Sequence, residues 1–247
     1  MKKMRISGLG LLTTIALAGC SDANGPNTDD ALDADVAMVA ADAALEDIQA
    51  MNSGFGGFGS SPAMFSAGPP TERSRTVTFF DAGGNAQDGY NAETTASINV
   101  VSDMSGSVTR DTWTATIERH RDMTITGLLE TETSRTWNGT GDGSVQRSRH
   151  SDESGDRSYD MSSTSVIADV VRGLPRADNP YPLSGTITRT ISITIVNGPN
   201  GDETRSRTVV ITFNGTQFAT LTINGGDSVD VDLAAREGRH PIRGRGR

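Results

Sequence analysis

From residue 71 to residue 233 apolar and polar side chains alternate with a period of two, as in strands that bury one face and wet the other. The clearest run, 186–195, places isoleucine or arginine at odd positions and threonine or serine at even ones. Comparable runs at 73–79, 94–101, 108–119, 121–129, 131–137, 144–149, 157–167, 205–213, 217–223 and 229–233 predict about ten strands. Turn signals separate many of them: Asp81-Ala82-Gly83-Gly84-Asn85, Asn138-Gly139, the stretch from Asn197 to Asp202, Asn214-Gly215 and Asn224-Gly225-Gly226-Asp227. Apart from a short candidate at 168–172, no helical pattern interrupts the series, which excludes a parallel βαβ fold. The expected fold is all-β: a single antiparallel meander domain forming an open barrel or strongly curved sheet, preceded by one N-terminal helix.

Parity fixes one register. Val209, Ile211 and Phe213 are odd, as are Ala219, Leu221 and Ile223. A two-residue Asn214-Gly215 loop would put the two sets on opposite faces, whereas an odd loop such as Phe213-Asn214-Gly215, with a left-handed glycine, keeps them together. Parity also places most arginines on the apolar side. Arg75 goes with Val77 and Phe79, Arg121 with Met123 and Ile125, Arg135 with Trp137, Arg189 with its flanking isoleucines and Arg207 with Val209. Two readings follow. Strand-end arginines cover the core rim with their stems and hold the guanidinium in water. Alternatively Arg75, Arg135, Arg189 and Arg207 ring the mouth of an open barrel as an anion-binding rim for carboxylate or phosphate ligands.

Ahead of the β region the period is helical. Asp29 or Asp30 caps a predicted helix over about 30–51, with Leu32, Val36, Val39, Ala43, Leu45 and Ile48 on its apolar side and Asp33, Asp35, Asp42, Glu46 and Asp47 making it anionic. This helix either packs on the β domain or serves as a spacer. Residues 52–70 lose all periodicity around Gly54-Phe55-Gly56-Gly57-Phe58-Gly59 and Pro69-Pro70 and read as a linker, so 20–70 is a tether and 71–233 the β domain. Residues 234–247 end in Arg243-Gly244-Arg245-Gly246-Arg247 and read as a disordered tail.

Residues 1–19 have the parts of an export signal: Lys2, Lys3 and Arg5, then an apolar stretch too short to span a bilayer comfortably. The closing Leu17-Ala18-Gly19-Cys20 resembles the lipobox of bacterial lipoproteins. That resemblance implies cleavage before Cys20 and lipid attachment, with palmitate among the acyl chains, to its thiol. Ser21 follows, with no Asp there to resemble an inner-membrane retention signal, so the expected address is the cell envelope, by preference the outer membrane. Residues 76–81 with their glycine turn, and Gly127 through Arg135-Thr136-Trp137-Asn138-Gly139, resemble uncharacterised β-rich envelope lipoproteins, a likeness that implies no activity. Cys20 is the only cysteine of 247 residues, which leaves no disulfide scaffold and no thiolate metal site. Cleavage takes the formal charge from −9 to −12, and the mature chain has no lysine. An acidic chain disfavours nucleic acid.

Catalytic patterns are weak. The histidines are His120, His150 and His240; His150-Ser151-Asp152 are consecutive, which cannot form a triad, and no G-x-S-x-G elbow, P-loop or G-x-G-x-x-G after a strand occurs. Asn200-Gly201-Asp202-Glu203 and the acidic stretch 152–156 lack EF-hand spacing. The expectation is a non-enzymatic lipid-anchored protein without cofactor or metal, with a binding or structural role toward an anionic or amphipathic ligand or an envelope protein. The alternative is an envelope hydrolase whose site is assembled from distant loops, and a deep pocket gathering His120 or His150 with carboxylates would favour it.

Overall fold

A computed structural model describes helical residues 33, 36–37, 39–41, 43–45, 47–48 and 51, and then residues 72–110, 113–129, 131–149, 157–198, 201–226, 228–234 and 242–243. The signal segment, Cys20, the glycine-phenylalanine linker, His150 and the loop at 150–156 lie outside the described residues.

The β region is one eleven-stranded antiparallel sheet. Its strands are β1 (Glu72–Asp81), β2 (Ala86–Gln87), β3 (Thr95–Arg110), β4 (Trp113–Thr126), β5 (Ser134–Arg149) and β6 (Arg157–Gly173), then β7 (Pro182–Gly198), β8 (Gly201–Thr212), β9 (Phe218–Ile223), β10 (Ser228–Asp232) and β11 (Ile242–Arg243). Sequence neighbours pair throughout, except that β1 lies between β3 and the short edge strand β2. Strands β2 and β11 form the two edges, so the sheet is an open meander, as the alternation predicts.

Several boundaries differ from those read in sequence. The runs at 131–137 and 144–149 are one strand, because Asn138-Gly139 is a bulge inside β5 rather than a turn. Residues 168–172 are also strand. A bulge between Ala168 and Val171, with Asp169 at φ 50°, switches the buried parity in β6 from Ile167 to Val170 and Arg172. Within the tail, Ile242 and Arg243 pair with Val231 and Asp230 of β10, so this part of the expected disordered terminus adds a strand. The β8–β9 register follows the parity argument: Val209 faces Ile223, Ile211 faces Leu221, and Gly215 is left-handed at φ 80°. The connection is longer than three residues, because β8–β9 pairing stops at Thr212 and Phe213 donates its N–H to the Gly185 carbonyl of β7.

A single sheet has only one face to bury and needs a second layer. The N-terminal helix (α1, its described residues lying between 33 and 51) supplies it. Val36, Ala37, Ala40, Ala41, Ala44, Leu45, Ile48 and Met51 share one core with Ile98, Met123, Ile125, Met161, Ile187, Ile191, Val209, Ile211 and Leu221 of the sheet. The alanines let backbone and sheet approach closely, and they widen the apolar face beyond the stripe of larger residues. Of the two sequence readings of this helix, packing is the one observed.

Candidate functional site

The helix seat on the inner face is ionic as well as apolar. Asp47 of α1 is 1% exposed and accepts from Arg121 Nε of β4 and, at 2.7 Å, from Arg189 Nη2 of β7. Nearer the helix start, Arg207 Nε of β8 donates to Asp33 at 2.6 Å, and at the far end Arg176 Nη2 donates to the Met51 carbonyl at 3.0 Å. Room for the arginine stems comes from glycine. Gly139, Gly141 and Gly143 stand on the inner face of β5, where a Cβ would lie 2.3, 2.8 and 2.6 Å from the carbonyl oxygens of Asp122, His120 and Glu118. The Cγ atoms of Arg121 and Arg119 occupy the space beside Gly141 and Gly143. The inner face is a receptor for an anionic amphipathic helix, and the chain's own helix fills it.

Of the four arginines expected as an anion rim, Arg135, Arg189 and Arg207 pair with three different carboxylates. Arg189 is buried against Asp47, and burial lowers its pKa while Asp47 opposes that shift. Arg207 pairs with Asp33. Arg135 pairs with Glu132 through Nε at 2.7 Å and Nη2 at 2.6 Å. Arg75 is half-buried on β1, and burial lowers its pKa too. Elsewhere, Arg172 is pushed down to about 10 by burial and by neighbouring Arg176. The charges read in sequence as reaching outward to a ligand are used, at Arg189 and Arg207, to hold the helix.

The concave space left open lies on the other, hydroxyl-bearing face, and its construction follows from register. One row of side chains crosses six adjacent strands as Ser74, Asp103, His120, Asp142, Thr164 and Thr190. Two residues along the strands a second row runs Glu72, Ser105, Glu118, Ser144, Ser162 and Ser192. All twelve line one cavity of about 1220 Å³. The intervening row, Arg73, Met104, Arg119, Gly143 and Ser163, also lines it but belongs to the inner-face register, so the floor is backbone and the walls are polar side chains. From ordinary sheet spacings the rows stand about 7 Å apart and run about 24 Å.

At the β1–β3–β4 end, His120 Nδ1 lies 2.7 Å from Asp103 Oδ1, and Ser74 Oγ donates to Asp103 Oδ2 at 2.8 Å. The bond to Asp103 raises the His120 pKa above its ordinary 6.5, with smaller contributions from Asp142 and Asp122. The same bond, with that from Ser74, lowers the Asp103 pKa. A hydroxyl nucleophile is activated by donating to a histidine that a carboxylate orients from behind. Here the serine is on the carboxylate, and the imidazole is biased toward its protonated form. Among the described residues no three His, Cys, Asp or Glu side chains are placed to hold a metal ion.

Neither Asp47 nor the channel was picked out from sequence. The signals for Asp47 were present as two separate facts, an acidic amphipathic helix and arginines of apolar parity. The channel left no such signal, because it exists only once five strand registers are set. No family model, curated protein or solved structure matches the chain.

Proposed function

We propose that the chain is a lipid-anchored cell-envelope protein, carried on Cys20 and by preference in the outer membrane, whose β domain binds a ligand without transforming it. The observation that carries the reading is the channel: an extended concave surface walled by complete rows of hydrogen-bonding side chains, on the face that the helix leaves uncovered. The bond from Ser74 to Asp103, rather than to His120, supports a non-catalytic role. The ligand sits on the hydroxyl face, since inner-face Arg189 and Arg207 are satisfied by Asp47 and Asp33. Two measurements test the proposal. Labelled palmitate incorporates into the parent and not into Cys20→Ser, and that variant leaves the membrane fraction. Envelope extract passed over the immobilised Cys20→Ser chain, with α1 in place, yields a component that the same chain carrying Ser144→Trp and Ser162→Trp, with its channel filled, fails to retain. Equal retention by both removes the channel from the function.

A hydrolase is the second reading, favoured by one observation: the channel brings His120 level with both Asp103 and Asp142. It predicts turnover of a retained component that His120→Gln abolishes.

A further inference from the structure

We propose that the channel takes a linear, polyhydroxylated chain, an oligosaccharide of the 1,4-linked pyranose type, laid across the strands; this rests on the reading of the channel as a binding surface. Three features of the channel select that chemistry. The first is repeat. Successive wall residues in a row are one strand apart, about 4.8 Å, and a 1,4-linked pyranose advances by nearly the same step, so each sugar meets the next pair of wall side chains. An extended peptide advances about 3.4 Å per residue and falls out of step within a few strands.

The second feature is wall chemistry. Ser74, Thr164 and Thr190 in one row, and Ser105, Ser144, Ser162 and Ser192 in the other, both donate and accept, and Asp103, Asp142, Glu72 and Glu118 accept from hydroxyl groups. Met104, the one apolar lining residue, belongs to the inner-face register. The hydroxyl and carboxylate groups of the two rows therefore suit a ligand that presents hydroxyl groups along its whole length. The third is the floor: the strand backbone lies between the walls, where Gly143 adds no side chain to either face. A single chain lying along the rows meets side chains from both of them, which stand about 7 Å apart.

The test uses the Cys20→Ser chain and two oligomer series, of glucose and of N-acetylglucosamine joined 1,4, from two to six residues, titrated calorimetrically. Affinity is expected to rise with length until the channel is filled and then to level off. Thr164→Val combined with Thr190→Val keeps shape, removes two hydroxyls and weakens binding about tenfold. Thr212→Val, exposed on β8 outside the channel, leaves binding unchanged. Spermine serves as the charge-only probe. If the sugars do not bind while spermine does, with a loss in Glu118→Gln and none in the threonine variant, the saccharide assignment falls and the channel survives as a cation-binding surface. If neither binds, the channel reading falls with it. If the sugars bind and are cleaved, the ligand class stands and the non-catalytic role is overturned.

Discussion

Replacing Asp47 with Asn tests how the helix is held. The carboxylate is buried, with Arg121 Nε on one oxygen and Arg189 Nη2 on the other. Both guanidiniums are themselves buried, at 7% and 6% exposure, so water cannot take over when the charge is removed. Removing one partner from a buried ion pair costs about 3–5 kcal/mol, because the remaining charge stays desolvated. That is a large part of the roughly 5–15 kcal/mol that holds a domain together. With a urea dependence of about 2 kcal/mol per molar, the unfolding midpoint of Asp47→Asn falls by about 2 M. The measurement belongs on the Cys20→Ser background, so that acyl chains do not enter the transition. A midpoint shift below about 0.5 M would show that water reaches the site, and would refute the ionic seat. The companion variant carries Asp47→Leu, Arg121→Met and Arg189→Met together. It removes all three charges and puts a methionine between Ile187 and Ile191, and buried ion pairs replaced by apolar groups of similar volume are often neutral or stabilising. Its midpoint is expected within about 0.5 M of the parent. If instead the triple variant is as unstable as the single one, shape rather than charge fixes the helix.

Three other outcomes follow from the same geometry. Gly139→Ala drives a Cβ to 2.3 Å from the Asp122 carbonyl and 2.8 Å from Met123 Cα, so β4 and β5 must separate; a loss of about 1–3 kcal/mol in denaturant unfolding is expected, against no measurable loss in Gly89→Ala, where nothing lies within 4 Å. The Asp103–His120 bond raises the imidazole pKa from 6.5 and lowers the carboxyl pKa from 3.8. Its stabilisation is therefore full between those two values, fades as pH rises through the raised histidine value, and fades as pH falls through the lowered aspartate value; in Asp103→Asn the His120 ring signals titrate at lower pH by NMR. Residues 71–247 expressed without α1 lack the second layer and are expected to bind a hydrophobic dye and to unfold without a cooperative transition, and a cooperative one would show that the sheet stands alone.

How far the sequence reveals this depends on how local each feature is. Period-two alternation is a property of single strands, and it led directly to the antiparallel meander. The register of β8 against β9 also followed, since Val209 and Leu221 had to share a face. The arginines were assigned to the correct face by parity alone, yet their partners were not found, because Asp47 and Arg189 are 142 residues apart and nothing local joins them. Gly139 misled for a related reason. Asn-Gly is a strong turn signal, but here glycine is required by the approach of the β4 carbonyls, a contact with another strand. The channel is the extreme case. Each wall residue looks like an ordinary wet-face serine or threonine, and the row appears only when the offsets of five strand pairs bring Ser74 into line with Thr190.

The two faces of this sheet have divided the work that two layers share in most domains. The inner face spends its apolar residues and several of its arginines on one helix, and Gly141 and Gly143 of β5 leave room for the stems of Arg121 and Arg119. With that face filled, the open cavity lies on the hydroxyl face. The row through Arg119 and Gly143 connects the two: it forms the channel floor on one side, and on the other it carries guanidinium groups toward the core. A molecule lying in the channel would touch six strands from β1 to β7 and fix their relative offsets, the same offsets that line up Arg121 and Arg189 for Asp47.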